Sequence, residues 1–230
     1  MSRIISQEEV SIPVGDKERT SGLLSLPSKP GRKGVILAHG AGNDMTNPLL
    51  SAFAEGLAAS GYPTLRFNFL YADRKKKSPD SQPVLVRTWE ATHRFLRDES
   101  RLEFDAIVAA GKSMGGRVAS QMQADGLLPV ERLIFLGYPL HPAGSPEKLR
   151  DAHLYRITIP MLFFAGTRDP LCDREKLNTV LSNLNAPWES HTVQGGDHSF
   201  NVPKSLHIEQ QEVFRRITEK AVEWLARPVR

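Results

Sequence analysis

The chain has 230 residues, 40% of them hydrophobic and 24% charged, a globular composition with enough length to bury a substantial core. Lys and Arg number 30 against 26 Asp and Glu, a formal charge of +4. That surplus is too mild to indicate nucleic acid, and no zinc-finger spacing, basic heptad or RNA-binding aromatic motif accompanies it.

The one cysteine, Cys172, excludes an intrachain disulfide framework and a cysteine metal cluster, and suits a reducing cytoplasm. Met1–Glu9 carries two acids where a signal peptide needs an apolar core. The longest apolar stretches, such as Ile159–Gly166, are too short to span a bilayer. The expectation is a cytoplasmic protein that neither inserts in a membrane nor binds nucleic acid.

In chain order, Ile4–Val14 and Thr20–Leu26 read as two strands joined by the turn Val14–Gly15–Asp16–Lys17, an antiparallel hairpin. Gly34–Ala38 is a buried strand ending in His39–Gly40–Ala41–Gly42. A helix from Pro48 to Ser60 follows, with proline in its first turn and Gly61 at its end. Tyr62–Phe69 reads as a strand with Leu65, Phe67 and Phe69 on one face, and Tyr71–Asp80 as a charged loop. Val84–Arg97 has helical spacing.

Ala106–Gly111 reads as a fully buried strand, running at once into Gly111–Lys112–Ser113–Met114–Gly115, and Arg117–Gln123 reads as a helix. Arg132–Gly137 is a buried strand, followed by an excursion over Tyr138–Arg156 with a short helix expected at Pro146–Ala152. Pro160–Gly166 is a strand, Arg174–Leu184 a helix, Trp188–Val193 the last strand and Leu206–Leu225 a long amphipathic helix. Strands alternating with helices imply an α/β fold: a mostly parallel, doubly wound sheet covered on both faces. No internal repeat or domain-sized linker interrupts it, so one domain spanning 1–230 is expected.

In such a sheet functional groups gather at the carboxyl ends of the strands. Strand, sharp turn with a serine at its tip, then helix is the context of a nucleophile elbow; a serine that only caps the helix is the alternative reading. The partners decide between them. Asp169 follows one later strand, in Gly166–Thr167–Arg168–Asp169–Pro170, and His198 follows the last, in Gly195–Gly196–Asp197–His198. The order Ser, Asp, His is that of an α/β-hydrolase triad.

Each member has a task. The hydroxyl of Ser113 needs an imidazole to take its proton. His198 takes that proton and returns it to the leaving group, and Asp169 orients the imidazole and stabilises its charged form. The oxyanion needs two N–H donors: Met114 provides one, and Ala41, or else Gly42, the other. Candidate pocket residues near these strand ends are His39, Gly42, Tyr71 and His141, with His39 also expected to shape the oxyanion turn.

Asp197 reads as a turn residue and Asp173 as a helix start. Cys172 is either a redox-sensitive thiol or a small packing residue, and Trp89, Trp188 and Trp224 read as core or helix-packing aromatics. Arg74–Lys77 either attracts an anionic substrate or forms a solvated loop. A phosphate loop would need glycine at position 106, where Ala106 stands. Acyl transfer by a triad requires no metal or organic cofactor.

Together these motifs resemble the α/β-hydrolase superfamily over nearly the whole chain, and more narrowly its small lidless branch of dienelactone-hydrolase-like proteins. His39–Gly42, Arg66–Phe69, Gly111–Arg117, Gly166–Pro170 and Gly196–Phe200 are similar to the subfamily of the vertebrate testis-expressed hydrolase-like protein and a subunit of a histone-acetyltransferase complex. The resemblance implies Ser113 as nucleophile, Asp169 as acid and His198 as base. Two departures bear on pocket shape: Thr46–Asn47–Pro48 stands where relatives tend to have Asp-His-Pro, and Leu70 replaces a proline after Phe69.

The excursion Tyr138–Arg156 is too short for a large lid, which disfavours long-chain lipase activity. The reading is therefore a serine hydrolase, carboxylesterase- or thioesterase-like, acting on a small-molecule acyl substrate as a monomer or homodimer. The alternative is a non-catalytic binding or scaffold protein on the same fold, whose mark would be a broken triad. Peptidase activity lacks the cap domain or amine pocket it would need.

Overall fold

In the computed structural model, which describes residues 5–229, eight strands form one sheet. The expected first strand began at Ile4, which lies outside the described residues. The strands are β1 (Ile5–Val14), β2 (Glu18–Pro27), β3 (Lys33–Ala38), β4 (Thr64–Phe67), β5 (Ala106–Lys112), β6 (Arg132–Leu136), β7 (Met161–Gly166) and β8 (Trp188–Val193). Their order is β1-β2-β4-β3-β5-β6-β7-β8. The hairpin β1–β2 is antiparallel and joins β4 antiparallel, while β4 through β8 run parallel.

The helices are α1 (Pro48–Ala59), α2 (Leu70–Asp73), α3 (Gln82–Arg94), α4 (Met114–Ala124), α5 (Arg174–Ser182) and α6 (Gln210–Leu225). Strand pleating divides the apolar residues between two cores. Ile36, Ile107, Ala109 and Phe163 point toward α3, α4 and α5, where Trp89, Val118 and Val180 meet them. Val35, Leu37, Val108, Leu162 and Phe164 point toward α1 and α6, onto Phe53, Leu57, Phe214 and Ile217. Burial on both faces explains why these strands read as near-continuous apolar runs.

The chain leaves β3 through α1 to reach β4, then crosses back over β3 to reach β5. The winding thus reverses between β3 and β5, and that reversal opens a crevice at their carboxyl ends. Ala38 pairs with Gly111 across this boundary, so His39 and Ser113 emerge side by side.

Several boundaries differ from expectation. The loop expected from Tyr71 begins with the short helix α2, in which Leu70 and Tyr71 are buried. The last turn of the third helix widens into a π-helix at Phe95–Glu99. No helix forms over Pro146–Ala152; a single 3-10 turn lies later, at Leu154–Arg156. Tertiary bonds explain this, because Arg150 N–H donates to Leu140 O at 2.8 Å and the Tyr138 hydroxyl donates to Arg150 O at 2.7 Å. Those bonds tie the segment back on itself and override its local propensity.

The terminal helix starts at Gln210 rather than Leu206, since His207 sits in the left-handed region at φ 50° and ends a 3-10 turn at Lys204–Leu206. Trp89 and Trp224 are buried as expected, but Trp188 is 43% exposed, because β8 is an edge strand that is largely uncovered. The stretch between β6 and β7 has no helical cap, so the fold is lidless.

Candidate active site

Ser113 connects β5 to α4 with φ 50° and ψ −116°, a strained conformation that costs on the order of 1–3 kcal/mol and depends on its surroundings to persist. Those surroundings are backbone in close contact. A Cβ on Gly111 would lie 2.3 Å from the nitrogen of Gly116, so strand and helix can approach only with glycine here. Arg117 N–H donates to Ser113 O at 3.0 Å and begins the helical ladder.

Asp169 leaves β7 in a turn that buries its side chain completely. Its Oδ1 accepts from Leu171 N–H at 2.8 Å and its Oδ2 meets His198 Nδ1 at 2.7 Å. His198 lies in the turn after β8. There Asp197 Oδ1 accepts from Ser199 N–H at 2.7 Å and Asn201 N–H at 2.9 Å, and Phe200 is anchored in the core at 0% exposure. Arg168 N–H donates to Gly196 O at 2.8 Å and Gly195 N–H to Thr167 Oγ1 at 2.8 Å, fastening the aspartate turn to the histidine turn.

The other ring nitrogen, His198 Nε2, is 2.8 Å from Ser113 Oγ. The carboxylate can only accept, so Nδ1 carries the proton and Nε2 accepts from the serine hydroxyl. Three side chains from three strand ends, 85 residues apart at their extremes, form one unbroken hydrogen-bonded line.

Ala41 and Met114 both face Ser113 across adjoining clefts. Met114 opens α4, where first-turn N–H groups have no intrahelical acceptor. Among the described residues neither N–H donates to another group of the chain. Positive helix-terminal potential and free donors are what an oxyanion requires.

His39, Tyr71 and His141 do not line these clefts, contrary to expectation. Each is tied into the framework behind them. His39 is fully buried; its Nδ1–H donates to Gly40 O at 2.8 Å and its Nε2 accepts from Phe69 N–H at 3.0 Å. Burial lowers its pKa, keeping it neutral. Tyr71 donates to the same Gly40 carbonyl at 3.2 Å, and burial pushes its phenol up to about 12. His141 Nε2 accepts from Asp173 N–H at 2.9 Å, holding the excursion against the start of α5. Gly42 belongs to the turn itself, at φ 71°, and does not border the clefts.

Beside the expected Ser113, His198, Ala41 and Met114, the clefts are lined by residues to which the sequence assigned no pocket role. A cavity of about 230 Å³ on the imidazole side is bordered by Asn43, Asn47, Lys112 and Ser199. Lys112 is 7% exposed, and burial lowers its pKa to about 8 against the opposing pull of Asp169 and Asp197. A second cleft of about 390 Å³ is bordered by Met114, Arg117, Asp80, Pro139 and Arg150. The spacing of Arg117, one helical turn past the serine, was the available signal.

Asp173 caps α5 by accepting from Lys176 N–H at 2.9 Å, as read from the sequence. Cys172 is buried, and its thiol is pushed up to about 12, chiefly by burial; it stays protonated and packs as a small side chain. Arg74 pairs with Glu18 and Asp80, while Lys75, Lys76 and Lys77 are exposed. Among the described residues no group of three or more His, Cys, Asp or Glu is arranged to hold a metal, and no helix is long and apolar enough to cross a membrane.

Residues 31–226 match the family described as the alpha/beta hydrolase domain. The chain belongs to that family. Solved structures of the same fold include a dienelactone hydrolase from Anabaena variabilis, 21% identical with a TM-score of 0.75 over 98% of this chain and 99% of that one. An alpha-beta serine hydrolase homologue from Coxiella burnetii is 20% identical, with a TM-score of 0.74 over 95% and 97%. A lidless serine hydrolase from Xanthomonas campestris is 19% identical, with a TM-score of 0.73 over 97% of both chains. At these identities the likeness concerns the fold alone, a lidless one in both this chain and the Xanthomonas campestris protein.

Proposed function

We propose that this chain is a one-domain serine hydrolase that cleaves a small ester or thioester through an acyl-enzyme. The observation that carries the reading is the line from Ser113 Oγ to His198 Nε2 at 2.8 Å and from His198 Nδ1 to Asp169 Oδ2 at 2.7 Å.

Ser113 Oγ attacks the substrate carbonyl carbon while its proton passes to His198 Nε2. The carbonyl oxygen becomes an oxyanion and accepts from the N–H groups of Ala41 and Met114. The carbon–leaving-group bond then breaks as Nε2 returns the proton to the departing oxygen or sulfur. Water repeats the sequence on the acyl-enzyme, losing its proton to Nε2, and Ser113 regains its own as the acid leaves. Asp169 stays ionised throughout and stabilises the imidazolium. The esterases and hydrolases that share the fold are consistent with this chemistry, and the lidless cleft suits short or exposed acyl groups.

Labelling with a fluorophosphonate probe tests the reading. Wild-type protein is expected to take up the probe, and Ser113→Ala to lose it with an unchanged thermal transition. A folded wild type that resists the probe and leaves a panel of short esters and thioesters intact would overturn the proposal.

A further inference from the structure

The two clefts beside Ser113 have different tasks. His198 must hand its proton to the leaving group, so the alcohol or thiol departs on the side of the cavity that His198 borders. The acyl group then lies on the other side, in the cleft of about 390 Å³ that Met114 borders. That acyl side carries an uncompensated positive charge.

Arg117 is one turn beyond Ser113 on α4 and lines the same cleft as the serine. Among the described residues it has no carboxylate within salt-bridge distance. Its side-chain contact is a 3.5 Å approach to Gln121 Oε1, an oxygen that already accepts from Gln82 at 3.1 Å. Arg150 borders the same cleft and also lacks a carboxylate partner among the described residues.

The one acid in the lining, Asp80, is engaged elsewhere. Its Oδ2 accepts from Tyr71 N–H at 2.8 Å and its Oδ1 is 3.5 Å from Arg74. The fields of the two guanidiniums reach their surroundings. Burial and, less strongly, the charge of Arg150 lower the pKa of Arg117. Burial and then Arg117 hold His153 down to about 4.

Nor is the arrangement loose. Arg150 is fixed at its backbone by Leu140 O and the Tyr138 hydroxyl, and His153 Nε2, 2.8 Å from Ser120 Oγ and 3.2 Å from Tyr138 Oη, braces that loop against α4. Two like charges held at one cleft without a counterion are unfavourable until an anion arrives, and a guanidinium fork matches a carboxylate.

We infer that Arg117 and Arg150 clamp a carboxylate at the far end of the acyl chain, so that the substrates are ω-carboxyacyl esters or thioesters. The inference rests on the serine-hydrolase reading above. The bonds made and broken are those of that mechanism; only the product acid changes, becoming a short dicarboxylate.

Two esters of one length test it: the mono-4-nitrophenyl ester of adipic acid and its methyl-capped diester, which differ by one negative charge. For wild type, kcat/KM is expected to favour the free carboxylate by about ten- to a hundredfold, the range of a charge-assisted hydrogen bond. In Arg117→Gln and in Arg150→Gln the ratio between the two esters should fall toward one, whatever the absolute rates, while Arg117→Lys retains part of it. Fluorophosphonate labelling of Ser113 is read alongside. Labelling together with a wild-type ratio of one or below overturns the carboxylate clamp and leaves the hydrolase standing. Absence of both labelling and turnover overturns the hydrolase reading and the clamp with it.

Discussion

His39 Nε2 accepts a hydrogen bond from the backbone N–H of Phe69 at 3.0 Å, joining the turn after β3 to the exit of β4. Its other nitrogen and the Tyr71 hydroxyl both donate to Gly40 O. The carbonyl immediately before Ala41 is thereby held from two directions, which fixes the plane of the peptide that carries the Ala41 N–H. On the proposed mechanism His39 is a positioning residue for that donor. His39→Phe leaves the Phe69 N–H buried without an acceptor, at a cost of about 1–3 kcal/mol. It should also lower kcat by up to about a hundredfold with little change in KM, since a donor made only in the transition state is misplaced. Equal changes in kcat and KM, read from steady-state rates, would argue against this role.

Asp169→Asn retains an oxygen for Leu171 N–H but turns a pure acceptor into a group with donors on the side facing His198. The imidazole loses its reason to carry the proton on Nδ1. A fall in kcat of about 10³–10⁴ is expected, with the thermal transition displaced far less than the activity. Retention of more than a tenth of wild-type kcat would remove Asp169 from the catalytic line.

Gly166 ends β7 against the histidine turn, and a Cβ there would lie 2.2 Å from Gly196 O and 2.7 Å from Asp197 O. Both contacts are backbone, so Gly166→Ala must push the His198 turn outward. Overpacking of this kind costs about 1–3 kcal/mol, and a shift of about 1 Å in a reacting group costs about a hundredfold in rate. Activity should therefore fall at temperatures where circular dichroism still reports folded protein. Undiminished activity would mean the two turns are not rigidly coupled.

Stability should decline on mild acidification. Burial lowers the pKa values of His39, His93 and His153, the last to about 4. The folded state thus binds fewer protons than the unfolded chain once pH drops below the ordinary imidazole value of about 6.5. Stabilisation present above that value is lost as pH falls toward 4, ahead of the range in which carboxylates titrate. His153 contributes about 2 kcal/mol of it after discounting for partial exposure. Urea midpoints measured from pH 7.5 to 4 should fall, and His153→Gln should flatten the slope. A midpoint that stays level or rises across this window contradicts the assignment.

Local chemistry along the chain determined much of this protein. Apolar runs such as Ile107–Ala110 and Met161–Ala165, punctuated by glycine turns, specify buried parallel strands because both faces must be covered. The order of Ser113, Asp169 and His198 at three strand ends specifies which turns must meet. Short-range signals of that kind survive folding because they depend on backbone stereochemistry and on which residues can be buried.

The tertiary structure decided what depends on contacts distant in sequence. Tyr138–Arg156 lost its expected helix to bonds with Leu140 and Tyr138, and Trp188 is exposed because β8 lies at the sheet edge. His39, Tyr71 and His141, polar residues near strand ends, turned out to brace the framework rather than face substrate. Arg117 and Arg150, 33 residues apart in the sequence, border one cleft beside Ser113. No local pattern connects them, since the acids that would neutralise each guanidinium, and their absence, are defined only once the chain is folded.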